Sequence, residues 1–142
     1  MAAGSNSLSK KDLLDIVATV QACLPLAQGV YIYGSMARGE GRSDSDVDIA
    51  VVQINPLEPE QALQLRSQLG VRLGRDIDVL DLRRASTEIA FQVVGEGQCI
   101  WGAEDESVAL YENSIMSMYA NLQNERREII EDIVKRGSVY GK

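Results

Sequence analysis

Four short β-prone runs, each separated from the next by a stretch of different periodicity, constrain this chain more than any other feature. They are Val30 to Tyr33, a run marked by Val47, Ile49, Val51 and Val52 that ends near Asn55-Pro56, Ile77 to Leu82, and Gln98 to Trp101. The segments between and around them carry apolar residues at helical spacing. Ser9 followed by Asp12 reads as a helix start, and Leu13, Ile16, Val17, Val20, Cys23 and Leu24 continue that helix toward Pro25. A second helix is predicted over about 58 to 73, with Leu63, Leu65, Leu69 and Val71 as its apolar positions and Gly74 at its C-cap. Ser86 to Val94 reads as a short helix closed by Gly95. Short strands interleaved with helices predict an α/β or α+β sandwich. At 142 residues the chain has the size of one domain, read as spanning 1–142.

The last element is the longest, a helix predicted from about Asp105, its N-cap, to Arg136, with Gly137 as its stop. The basic pair Lys135-Arg136 suits the negative end of its dipole. Its apolar stripe includes Val108, Tyr111, Ile115, Met118, Tyr119, Ile129, Ile130, Ile133 and Val134. Such a stripe reads first as core, with contact to a partner as the alternative. The mixed run Glu125-Arg126-Arg127-Glu128 reads as a solvated face.

Composition then removes whole classes of chemistry. The chain has no histidine, which excludes Ser-His-Asp and Cys-His catalytic units and any His-containing metal site. Its 14 Lys+Arg against 21 Asp+Glu give a formal net charge of −7, which argues against broad contact with a nucleic-acid backbone. Cys23 and Cys99 are too few for a disulfide framework and read as free thiols of a reducing compartment. The amino terminus lacks the pattern of a secretory signal, and no apolar run approaches the ~20 residues of a membrane span. A cytoplasmic protein with no membrane contact is expected.

The stretch that carries chemistry begins where the first strand stops. Tyr33-Gly34-Ser35-Met36-Ala37-Arg38-Gly39 places a Gly-Ser turn between a strand and residues able to start a helix. That arrangement exposes backbone N–H groups and lets phosphate approach closely, although Gly-Ser alone is also ordinary turn chemistry. Ser43-Asp44-Ser45-Asp46-Val47-Asp48 follows. In a strand, Asp46 and Asp48 project to the same face with Cα atoms about 7 Å apart, while Val47 and Ile49 face the core. Two like charges there repel, and a hard divalent cation such as Mg²⁺ would offset the cost. Taken alone, the pair fits a solvated polar turn equally well.

A third acidic strand follows in Arg75-Asp76-Ile77-Asp78-Val79-Leu80-Asp81. Asp76 and Asp78 share one face and Asp81 takes the other. Asp78, held between Ile77 and Val79, is the better candidate for a third carboxylate than Asp76, which lies nearer the turn.

Gly34-Ser35, ten intervening residues, Asp46-x-Asp48 and then Asp78 on a later strand resemble the DNA polymerase β-like nucleotidyltransferase superfamily. The fuller string, Gly-Ser-x-Ala-Arg-Gly and then Ser-Asp-x-Asp, is similar to its minimal nucleotidyltransferase (MNT) antitoxins, over about residues 30 to 82 most closely. The resemblance implies a mixed sheet of about four strands packed by helices, with that stretch as catalytic core. It implies nucleotidyl transfer from ATP with Mg²⁺ as cofactor, two ions in all, chemistry that metals and carboxylates can carry without a histidine. Gly34 and Ser35 would hold the triphosphate, Asp46, Asp48 and Asp78 would be catalytic and bind metal, and Asp78 would help deprotonate the acceptor hydroxyl. Ser45 and Arg38 would join the nucleotide-binding set, with a local turn bond for Ser45 and an ion pair to Glu40 for Arg38 as alternatives.

Only about 60 residues follow the third strand, which leaves little to hold an RNA or a drug. A protein acceptor that brings its own recognition surface fits so small a catalyst better. The resemblance accordingly implies an antitoxin that transfers AMP to a tyrosine of a cognate HEPN ribonuclease toxin in a hetero-oligomeric complex. Without histidine the chain cannot be that toxin, whose signature needs one. A small-molecule nucleotidyltransferase of the aminoglycoside type, or an antitoxin that acts by binding alone, are the alternatives.

Overall fold

The computed structural model describes residues 8–37 and 46–140, with side chains to residue 135. Helix α1 (Lys10–Cys23) opens on a capping box, in which Asp12 N–H donates to Ser9 Oγ at 3.1 Å and Ser9 N–H to Asp12 Oδ2 at 3.0 Å. Strand β1 (Gly29–Tyr33) and strand β2 (Val47–Val52) follow. Helix α2 (Pro59–Leu73) starts on a proline, whose missing N–H costs nothing in the first turn, and ends at Gly74 in the left-handed region with φ 65°. Strand β3 (Ile77–Asp81) runs through a 3₁₀ turn at Leu82–Arg84 into helix α3 (Thr87–Glu96), strand β4 (Gln98–Trp101) and helix α4 (Glu106–Tyr140).

The four strands form one mixed sheet in the order β3-β2-β1-β4. β2 pairs with β3 in parallel, and the other pairings are antiparallel. Strand alternation splits the apolar residues into two cores. Val30, Ile32, Val47, Ile49, Val51 and Ile77 pack on one face with Ile16 and Val20 of α1 and Leu65 and Leu69 of α2. Tyr31, Ala50 and Val52 pack on the other with Ala90 and Val93 of α3 and Val108, Tyr111 and Ile115 of α4. The second core is pinned by polar contacts: the Tyr31 hydroxyl donates to Glu112, and the Tyr111 hydroxyl donates to Leu82 O at 3.0 Å.

Several sequence expectations shift here. Helix α3 passes through Gly95 and stops at Gly97, and α4 passes through Gly137 to Tyr140. Asp105 does cap α4, accepting from Ser107 N–H at 2.8 Å through its side chain. Leu63 and Val71 of α2 face solvent, because its inward face is set by Leu65 and Leu69. The stripe of α4 divides. Its first turns are core, and Tyr119 stacks on Phe91 with ring centroids 3.8 Å apart. Met118 is exposed, and beyond the Arg126–Glu88 ion pair Ile129, Ile130, Ile133 and Val134 are exposed as well. At 35 residues α4 is roughly 50 Å long, so its outer turns pass beyond the body they would otherwise pack on. Cys23 and Cys99 are free thiols. Among the described residues no helix is long and apolar enough to cross a membrane.

Candidate active site

The site is built where three strands end or begin side by side. Tyr33 of β1 is the register partner of Asp48 of β2, and Asp48 is the register partner of Asp78 of β3. The three therefore form one row across the sheet, each step about 5 Å. All three belong to the face that carries Tyr31, Ala50 and Leu80 one row further in, so the row lies at the end of the core made with α3 and α4. Ile49 and Val79, between these positions in sequence, point into the opposite core.

Backbone geometry fixes the first turn of the site. Gly34 follows Tyr33 with φ +74°, a conformation that L side chains rarely adopt. A Cβ there would also overlap Asp48 Oδ2, so two independent constraints demand glycine at this position. Met36, buried, roots the Gly34–Ala37 turn in the α1–α2 core, and Arg75 Nη1 reaches its sulfur at 3.6 Å from the approach to β3.

The electrostatics of the row show up on Tyr33. Its hydroxyl is pushed up to about 12, first by burial and then by the negative charges of Asp48 and Asp78. Both carboxylates thus act on one phenol. Tyr33 was not singled out in the sequence, although its place two residues after Tyr31 put it on the same face of β1.

Asp46 is exposed and lies one residue before β2 begins, so it does not share the strand with Asp48. Asp76 is likewise exposed one residue before β3, and its carbonyl accepts from Val47 N–H at 2.9 Å, which locks the starts of the two parallel strands together. Asp81 faces away and serves the fold: its Oδ2 accepts from Leu57 N–H at 2.9 Å, and it pairs with Arg84 at 3.6 Å. Ser35 sits half-buried in the Gly34 turn. Arg38 and Ser45 lie outside the described residues.

Adjacent carboxylates on Asp48 and Asp78 fit a hard cation such as Mg²⁺, which takes one or two carboxylates and completes its shell from water and phosphate oxygens. Among the described residues no group of three or more such side chains converges, so a phosphate-bearing substrate would have to supply the rest. Next to the row, between the end of β1 and α3, lies a cavity of about 230 Å³ bordered by Tyr33, Gly34, Gln92 and Glu96.

The chain belongs to the Polymerase beta, Nucleotidyltransferase family, whose pattern matches residues 24–106 and so spans the glycine turn and both carboxylate-bearing strands. Within it, the chain is 35% identical over 119 residues to the protein adenylyltransferase MntA of Shewanella oneidensis, covering 84% of this chain and 85% of that one. Solved structures agree. A toxin–antitoxin crystal structure with AMP-PNP superposes with a TM-score of 0.74 at 34% identity, over 86% of this chain and 98% of the other. A tri-AMPylated Shewanella oneidensis HEPN toxin in complex with MNT antitoxin matches with a TM-score of 0.70 at 32% identity, over 88% and 98%.

Proposed function

We propose that this chain is an ATP-dependent protein adenylyltransferase that acts as an antitoxin, transferring AMP to a tyrosine hydroxyl of a cognate HEPN ribonuclease toxin. The observation that carries this reading is the Asp48–Asp78 pair beside Gly34 in a chain 35% identical to a protein adenylyltransferase over most of its length. The toxin complexes of its structural relatives support the partner. ATP and a ribonuclease partner both imply work in the cytoplasm. We read 1–142 as one minimal nucleotidyltransferase domain, with a catalytic core at about 30–82 and the C-terminal helix at about 105–136.

In this reading the Gly34-Ser35 turn receives the triphosphate, aided by Ser45 and Arg38. Asp46, Asp48 and Asp78 are the residues that would hold magnesium, which supplies charge neutralisation on the phosphates when bound. The tyrosine oxygen of the toxin attacks the α-phosphorus of ATP. The bond from that phosphorus to the α,β-bridging oxygen breaks, and pyrophosphate leaves with the electron pair. Asp78, register partner of Asp48, helps to take the phenol proton, which passes on to water. Burial first, and then the charge of the row, also keep Tyr33 itself protonated, so it is a poor rival to the acceptor.

The test uses the full chain, its toxin and radiolabelled ATP. The wild type should label the toxin, and the Asp46→Asn/Asp48→Asn double variant should lose at least about 10³-fold of that rate, the scale on which electrostatic groups of an active site act. Undiminished labelling by the double variant overturns the proposal. Labelling of an aminoglycoside with no protein present would instead favour the small-molecule reading.

A further inference from the structure

Beyond the Arg126–Glu88 ion pair, α4 continues for 14 residues to Tyr140, about 21 Å of helix past the first turn of α3. At 100° per residue, Ile129, Ile130, Ile133 and Val134 stand on the same face as Val108, Tyr111, Ile115 and Tyr119 nearer the sheet. The inner set is core or stacked on α3, whereas the outer four are 59–64% exposed. Ile129 and Ile133 form one row at i, i+4 spacing, and Ile130 and Val134 form a second beside it. Such rows are the ridges against which another helix packs. Isolated helices of about 12–15 residues are marginal in water, so an apolar cover on this face would stabilise the segment.

Charge and area decide between possible occupants. Glu125 and Asp132 flank the strip on one side, and Arg127 and Glu131 flank it on the other. Three carboxylates to one guanidinium make an acidic rim, which suits a partner with Lys or Arg beside an apolar seam. A second copy of the chain would set acidic rim against acidic rim. The strip is also small. At about 21 Å by 10 Å it offers roughly 200 Å², against the ~800 Å² per partner of a stable interface. Its occupant must therefore touch the chain elsewhere as well, and the acceptor of a transfer reaction does so at the active site. Topology puts the two contacts on one side of the molecule. α3 enters from β3 and leaves into β4, and α4 runs antiparallel to it, as the pairs Phe91–Tyr119 and Glu88–Arg126 require. α4 thus leaves the body past the β3 edge of the sheet, and β3 is the strand that carries Asp78.

We propose that the outer strip of α4 docks the acceptor toxin, taking an amphipathic helix of that protein whose apolar seam is bordered by Lys or Arg. The inference rests on the adenylyl-transfer reading and deepens it by assigning the surface that recognises the acceptor. Contacts on this strip are made equally before and during the transfer, because the reacting atoms lie at the carboxylate row. They govern how tightly the toxin is held and leave the chemical step unchanged.

The experiment follows toxin labelling by radiolabelled ATP as toxin concentration is varied, with toxin Kd from calorimetry and the mass of the full chain from sedimentation. Ile129→Gln/Ile133→Gln changes two exposed positions to a good helix former. It should raise both KM and Kd for the toxin at least about tenfold, the loss expected of an apolar anchor. Its kcat at saturating toxin and its ATP binding should stay within about twofold of wild type. Glu125→Lys/Glu131→Lys, which reverses the rim, should weaken the toxin complex as well. Tighter binding with the reversed rim, or KM and Kd unchanged in the isoleucine variant, overturns the docking surface while leaving adenylyl transfer intact. A wild type that sediments alone as a dimer, with the isoleucine variant a monomer, assigns the strip to a second copy and overturns it too. Toxin binding that needs the strip but brings no labelling overturns the transfer reading and upholds the docking surface. A wild type that does not bind the toxin overturns both.

Discussion

The two faces of the sheet are made by alternate residues of the same strands, yet they do different work. Toward α1 and α2 every strand residue of the core, Val30, Ile32, Val47, Ile49, Val51 and Ile77, is apolar and at most 7% exposed. Toward α3 and α4 the same strands are apolar only at one end, through Tyr31, Ala50 and Val52, and give way to Tyr33, Asp48 and Asp78 at the other. Like charges opposite one another on adjacent strands weaken a sheet. Here that cost falls on strands already anchored from behind, Asp48 between Val47 and Ile49, Asp78 between Ile77 and Val79. A period of two lets one strand carry stability and chemistry in alternate residues, so the two can be separated by mutation.

The strongest way to break this comparison is to swap the expected effects. Ile49→Ala, which hollows the apolar face, should cost about 2–5 kcal/mol of unfolding free energy in denaturant titration. Asp78→Asn, on the other face, should leave that free energy within about 0.5 kcal/mol or raise it, while adenylyl transfer is lost. Comparable destabilisation by the two would mean that Asp78 holds the fold rather than the substrate. A smaller effect separates two left-handed glycines. Gly34→Ala should cost about 1–3 kcal/mol and also abolish transfer, because its Cβ would displace the Asp48 carboxylate. Gly74→Ala has φ +65° but nothing within 4 Å of the added carbon, so strain alone remains and transfer should persist. Equal loss of activity in both variants would break the link between Gly34 and Asp48.

The element order was legible because each segment had a clear period: alternation in β2, helical spacing in α1 and α3, and a capping box at Ser9. What local sequence does not carry is which elements meet. Leu63 and Val71 count with Leu65 and Leu69 as apolar positions of α2, but the helix has only one buried stripe, and which side that is depends on the sheet beneath it. The outer isoleucines of α4 fit a core pattern as well as the inner residues do, and only the reach of the helix past the body separates them. At the site, Asp48 and Asp78 were legible as carboxylates on strands, while their adjacency depends on the parallel pairing of β2 with β3. Asp46 differs for the same reason, since β2 begins one residue later than alternation from Asp46 assumes. Tyr33, Gln92 and Glu96 carry no motif, and become visible only when β1 and α3 are brought together.

The finest test compares the two ends of the carboxylate-bearing face through their tyrosines. Tyr33, at the polar end, and Tyr111, under the apolar end, both titrate at about 12, well above the ordinary 10. Burial is the first cause for each; Asp48 and Asp78 add to it at Tyr33, whereas at Tyr111 Arg83 opposes it and Asp81 adds to it. Raised values mean that the folded state holds these protons more tightly than the unfolded chain. Their contribution to stability is therefore complete below pH 10 and lost as pH climbs from 10 to 12. Removing the charge of Asp78 should lower Tyr33 and leave Tyr111 where it is. Ultraviolet difference titration of tyrosinate in chelator, with Tyr33→Phe to assign the signal, should show one late-titrating tyrosine move toward 10 in Asp78→Asn. If neither moves, Asp78 does not share a field with Tyr33, and the row across β1, β2 and β3 is a register without a common charge. If both move, the charge of Asp78 reaches the apolar end as well, and the division of this face into a chemical end and a structural end fails.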